Sequence, residues 1–151
     1  MNKLKTGMLV ITLAVTLQLG VGELETQTTI RPQDVHCLAK NIYMEARGEP
    51  VEGQIAVAQV TINRVRSGTF GSSICKVVYA KNQFSWTLDK RKKVTSNKEW
   101  DASMALAVNV LSGKSHIPNF NALYFHTKQV RPKWAKSKTK VTTISNHIFY
   151  S

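Results

Sequence analysis

Only two of the 151 residues are cysteine, four are proline, and nine are acidic against twenty-one lysines and arginines. Each shortage excludes something. Two cysteines are too few for a disulfide-framework miniprotein, and the absence of Cys-x-x-Cys or His-x-x-x-His spacing removes the usual zinc signatures. No apolar run reaches the roughly 20 residues of a membrane-spanning helix, and there is no internal repeat or low-complexity tract. The acid deficit leaves a formal charge of +12, which points any extended partner toward anions: nucleic acid, acidic lipid or acidic wall polymer. What remains is ample for one core, since 42% of residues are hydrophobic and 8% aromatic, a composition that argues against disorder and for a single domain.

Lys3 and Lys5 precede the apolar run Met8–Val21, and Gly20 and Gly22 supply small residues where an export signal is cleaved. Residues 1–22 are therefore expected to be a signal peptide or a releasable membrane anchor, delivering the chain to the periplasm or cell wall space. Residues 23–33 read as a polar linker and 34–151 as the working domain; with 1–22 set aside, residues 23–151 carry nineteen basic residues against nine acidic ones. In an exported chain Cys37 and Cys75 are most simply one disulfide, with two buried thiols as the other reading.

Asp34 is a good N-cap, and Val35, Leu38, Ala39, Ile42 and Ala46 follow at helical spacing, so a helix is expected to end near Arg47 before Gly48 and Pro50. Val51, Ile55, Ala58, Ile62 and Val65 predict a second helix to about Arg66. Ser96-Asn97-Lys98-Glu99 has the form of a capping box. Trp100, Met104, Ala107, Val108 and Leu111 then form an apolar face of core residues up to Gly113. β-branched and aromatic residues dominate 122–126 and 141–150 and predict two antiparallel strands. Helices first and a small antiparallel sheet last make the fold class α+β.

Potential chemistry is densest in Asn41–Pro50. At about 100° per residue Glu45 lies beside Leu38 and about 60° from Ile42, flanking the apolar stripe. Such a carboxyl is half-desolvated. Burial disfavours its charged form and raises its pKa, which lets a general acid hold a proton for a leaving oxygen, as in glycosidic bond cleavage. The competing reading is an ordinary ion pair with a nearby Arg or Lys. Glu49 would share its face if the helix continued, but Gly48 and Pro50 break it. Glu49 is therefore expected to support the site from behind, capping the next helix or holding Arg47.

The blocks Ala39-x-x-Ile42-Tyr43-x-Glu45-Ala46-Arg47-Gly48-Glu49-Pro50, Gly53-Gln54-x-Ala56-Val57-Ala58-x-Val60-x-x-Asn63-Arg64-Val65, Val77-Val78-Tyr79 and Gln83-Phe84-Ser85 resemble the SleB/CwlJ-type cell wall hydrolase family. So do Ala122–His126, Pro132-x-Trp134 and His147-x-Phe149-Tyr150 near the C-terminal end. The resemblance spans roughly residues 36–150 and implies a small lysozyme/lytic transglycosylase-like domain acting on peptidoglycan glycan strands. It implies that Glu45 is the catalytic acid of a one-carboxyl lytic transglycosylase, closing a 1,6-anhydro ring on N-acetylmuramic acid. A lysozyme-like hydrolase (muramidase) with a second carboxylate is the alternative outcome.

Gln83, Ser85, Tyr124 and His126 offer hydrogen bonds to sugar hydroxyl and acetamido groups, and Phe84 or Trp86 a face for a sugar ring. All are equally at home as structural residues. His126 and His147 lack short ligand spacing, so no metal and no cofactor is expected. Lys90–Lys93 and the lysines and arginine between Lys128 and Lys140 form either solvated faces or a surface for an anionic wall or membrane. From another class, a non-catalytic basic module binding wall or nucleic acid remains open, although no nucleic acid partner is expected and a monomer is. A zinc peptidase finds little support. A compact exported wall enzyme serves equally for wall remodelling or as a phage endolysin.

Overall fold

The computed structural model describes residues 29–89 and 92–151, so the expected signal or anchor, most of the linker and Lys90-Arg91 lie outside the described residues. Four helices precede a three-stranded sheet. Helix α1 spans Pro32–Ala46 and begins two residues ahead of the expected domain start, with Ile30 already packed on the core. Proline suits this first position because its missing N–H would have no helical partner there. Asp34 is therefore not the N-cap. It sits in the first turn and accepts from Arg31 Nε at 2.7 Å, where a negative charge complements the helix dipole.

Helix α2, Val51–Ser67, stops at Gly68, whose φ of +72° is the left-handed conformation that a glycine adopts freely, and whose N–H reaches the carbonyl of Val65. This helix is covered on two sides. Ile55, Ala58, Ile62 and Val65 pack with the apolar face of α1, while Ala56, Val57 and Val60 pack with Phe120, Ala122 and Phe149 beside the sheet. The expected stripe was only the first of these. The short α3, Ile74–Tyr79, is capped by the Ser73 hydroxyl and was not anticipated, because six residues carry too little periodicity. Cys37 and Cys75 form a disulfide with Cα atoms 5.3 Å apart, tying α1 to α3. A 3-10 turn follows at Ser85–Leu88.

Helix α4, Lys98–Leu111, is capped one residue later than the capping box implied: Asn97 accepts from the Trp100 N–H. Trp100 and Met104 are partly buried against the core. The chain from Ile117 to Leu123 then lies along α2, whose polar side chains take the place of a neighbouring strand. Gln59 exchanges two hydrogen bonds with the Ile117 backbone, Asn63 donates to the carbonyls of Phe120 and Ala122, and Arg64 Nε donates to that of Leu123 at 2.7 Å. These bonds satisfy buried backbone that would otherwise destabilise the loop, and they aim the strand that follows.

Three strands form where two were expected: β1 (Tyr124–Thr127), β2 (Lys140–Ile144) and β3 (His147–Tyr150), all antiparallel in the order β1-β3-β2. The long run 141–150 folds on itself at Ser145-Asn146, with Ser145 at φ +47°. A second 3-10 turn, Lys133–Ser137, connects β1 to β2. Alternation divides the sheet. Phe125, His147 and Phe149 share the face toward the core, and Phe149 and His147 are fully buried. Tyr124, His126, Ile148 and Tyr150 share the other.

Candidate active site

The last turn of α1 carries Glu45 into a cleft of about 360 Å³ lined by Arg64 of α2, by Asn82, Gln83, Phe84, Ser85 and Leu88, and by Phe125 of β1. Larger concavities exist, up to about 790 Å³, so the cleft is singled out by the half-buried carboxyl it holds and not by its size. Glu45 is half-buried. Burial pushes its carboxyl above the usual range, while the charges of Lys92 and then Arg64 pull it down. Among the described residues no lysine or arginine lies within 4.0 Å of it, so none of them makes the ordinary ion pair that the sequence left open.

Arg64 is the residue that sequence reasoning missed. It is only 6% exposed, its guanidinium lies against the rings of Phe70 and Phe84 at 5.1 and 5.2 Å, and its Nη1 is buried without a hydrogen-bond partner among the described residues. Burial lowers its pKa to about 10, against the opposing pull of Tyr124 and Glu45. It stays cationic at neutral pH. Burying a charge without a close counter-ion costs several kcal/mol, which marks this position as one kept for its charge.

Glu49 is elsewhere occupied. Its Oε2 accepts from the Asn146 N–H at 3.1 Å and a bond from the Ser145 side chain, fastening the β2–β3 turn to the start of α2. Burial alone would raise its pKa, but these two bonds, His147 and Lys128 together hold it below the usual value. Nδ1 of His147 is 3.9 Å away; burial lowers the pKa of that imidazole, against the opposing pull of Glu49. Neither expected role holds for Glu49. The N-cap of α2 is Pro50, without a side-chain cap, and Arg47 instead donates to the Tyr43 carbonyl and covers the Tyr43 ring at 4.8 Å.

Of the residues expected to bind sugar, Gln83 and Ser85 line the cleft beside Glu45. Phe84 lines it too, but at 3% exposed it supports Arg64 from below and leaves no ring face open to a sugar. Trp86 is buried and its indole N–H donates to Asn41. Tyr124 and His126 do not line the cleft, because the alternation of β1 turns Phe125 into it and both of them away. They join Trp134 and Tyr150 in an aromatic cluster on the outer sheet face, where His126 Nε2 and the Tyr150 hydroxyl are 3.0 Å apart. His126 and His147 thus occupy opposite faces and do not converge on a common ligand. Among the described residues no group of three or more His, Cys, Asp or Glu is placed to hold a metal.

Residues 48–150 match the family described as Cell Wall Hydrolase, a match that begins three residues after Glu45. The spore cortex-lytic enzyme of Bacillus cereus is 32% identical over 117 residues, covering 77% of this chain and 43% of that protein. Its counterpart in Bacillus subtilis (strain 168) is also 32% identical over 117 residues, covering 37% of its length. The chain thus matches less than half the length of these curated relatives. Among solved structures, the catalytic domain of the germination-specific lytic transglycosylase SleB from Bacillus anthracis superposes with a TM-score of 0.67 at 30% identity, covering 82% of this chain and 98% of that one. The catalytic domain of the Bacillus cereus SleB protein gives 0.66 at 29% identity, covering 87% and 100%.

Proposed function

We propose that this chain, which belongs to the Cell Wall Hydrolase family, cleaves the glycan strands of peptidoglycan at N-acetylmuramic acid as a lytic transglycosylase, with Glu45 as its single catalytic carboxyl. The observation that carries the reading is the half-buried Glu45 carboxyl, standing in a cleft without a cation in contact among the described residues. A protonated Glu45 gives its proton to the glycosidic oxygen as the C1–O bond breaks and positive charge develops on the sugar. The resulting carboxylate takes the proton of the muramic 6-hydroxyl while that oxygen attacks C1. The acid is regenerated, a 1,6-anhydro ring is left, and no water is consumed.

This cycle asks one group to be a good acid and then a tolerated carboxylate. Burial serves the first state, and Arg64, fixed between two phenyl rings, serves the second as a charge that needs no reorganisation at the moment of transfer. Gln83 and Ser85 orient the sugar through hydrogen bonds. A two-carboxyl muramidase is disfavoured because Glu49 is engaged at the β2–β3 turn. Action outside the cytoplasm follows from the substrate, with residues 1–22 as export signal or releasable anchor. The basic outer face of the sheet, with Lys128, Arg131 and Lys136 around His126 and Tyr150, is the place for an anionic wall or membrane surface.

Digestion of purified peptidoglycan tests the reading. Mass spectrometry should find wild-type products ending in anhydromuramic acid, formed at least about 10²-fold more slowly by folded Glu45→Gln. Reducing muramic ends would turn the assignment to a hydrolase, and wild-type activity in Glu45→Gln would overturn it.

A further inference from the structure

On the other side of the Ser85–Leu88 turn from Glu45 lies a groove of about 590 Å³. Ser85 and Leu88 line the cleft, whereas Trp86 and Thr87 of the same turn line the groove. Among the described residues its lining brings together three lysines, Lys40, Lys92 and Lys93, with Asp89 as the one acid, and the aromatic residues Tyr79 and Trp100. Like charges gathered in one concavity raise the local positive potential and favour an anion there. Lys40 Nζ lies 5.7 Å from the Tyr79 ring centre and 5.5 Å from that of Trp86. Tyr79 is 48% exposed.

We propose that this groove is a subsite for the carboxylate-bearing peptide attached to the glycan strand, an inference that rests on the glycan-cleaving reading above. Lys40 and Glu45 are five residues apart on α1, hence about 7.5 Å along its axis and about 140° around it. A sugar seated in the cleft can direct its peptide over the partition, where four or five extended residues, about 3.3–3.6 Å each, cover the distance to Lys40. The aromatic walls favour a peptide, whose amides and methyl groups pack on ring faces, over a strongly hydrated phosphodiester polymer. Lys92 serves both cavities, since its charge also acts on Glu45.

The test compares peptidoglycan strands bearing their peptides with the same strands stripped by an amidase. Wild type is expected to favour the peptide-bearing strand several-fold to about tenfold in kcat/KM, the size expected of two partly exposed ion pairs. The Lys40→Gln/Lys93→Gln protein should lose that preference through KM, with its kinetics on stripped strands unchanged. Equal cleavage of the two substrates by wild type, or an equal loss on both in the double variant, would overturn the subsite. Titrating the released peptide into folded Glu45→Gln protein gives a second readout: chemical-shift changes should gather on the groove and vanish with Lys93→Gln. A phosphate polymer that displaces the peptide and binds more tightly would also overturn it. Glu45→Gln tells the two failures apart, because near-wild-type cleavage there defeats the glycan-cleaving reading, whereas a Glu45→Gln slowed by about 10²-fold or more with an unaltered double variant defeats only the subsite.

Discussion

Glu45 and Glu49 are four residues apart in one short motif, yet the fold gives them opposite environments. Glu45 ends α1 in a cleft where burial raises its pKa. Glu49 stands past the helix break and accepts bonds from the β2–β3 turn that hold its pKa down. The difference lies in what surrounds each carboxylate: among the described residues one has lost water without gaining donors, and the other has exchanged water for donors. The first is suited to lend a proton, the second to fasten a sheet to a helix.

The largest effect should come from removing the acid. Glu45→Gln should lower wall-lytic turnover by about 10²–10⁴-fold, the range for a positioned general acid, measured as fragment release from purified wall. Next is Arg64→Gln, which keeps a donor for the Leu123 carbonyl and removes the charge. It should cost about 10²-fold in kcat and move the alkaline limb of the pH profile upward, because Glu45 would then hold its proton more tightly. Arg64→Lys should leave that limb near wild type. Raising salt should weaken the contribution of Lys92, which is exposed, and spare that of buried Arg64.

Stability sharpens the contrast. The folded pKa of Glu49 is depressed, so its contribution is present above the ordinary value of 4.5 and lost as pH falls through the folded value. Glu49→Gln should destabilise by about 1–3 kcal/mol at neutral pH, shrinking in acid, with turnover retained in the folded fraction. For Glu45 the sign reverses. Its folded pKa is raised, so ionisation opposes folding above 4.5, and Glu45→Gln should be more stable than wild type at neutral pH and equal to it in acid by denaturant melts. The smallest effect belongs to the outer sheet face, where His126→Phe should change turnover less than about threefold, within the range of surface substitutions.

Much of this was legible in the residues. The apolar spacing of α1 placed Glu45 beside its buried stripe, and the blocks around Gln83 and Ser85 named two cleft residues. Strand parity was legible and overlooked: in Tyr124-Phe125-His126, period two lets either the outer pair or Phe125 face the core, and large apolar Phe125 is the inward choice. Ser145-Asn146 inside a β-branched run was an available turn signal. Arg64 was not legible, because an arginine is expected at the surface and its stacking partners Phe70 and Phe84 come from other segments. The lysine groove likewise assembles Lys40, Lys92 and Lys93 only through the fold.

The most direct test is a carboxyl carbon NMR titration of the folded protein, with Glu45 and Glu49 assigned by their Gln variants. Glu45 is predicted to titrate above the ordinary glutamate value and Glu49 below it, with Glu45 rising further in Arg64→Gln. A Glu45 that titrates at or below the ordinary value, level with Glu49, would contradict the assignment of the catalytic proton.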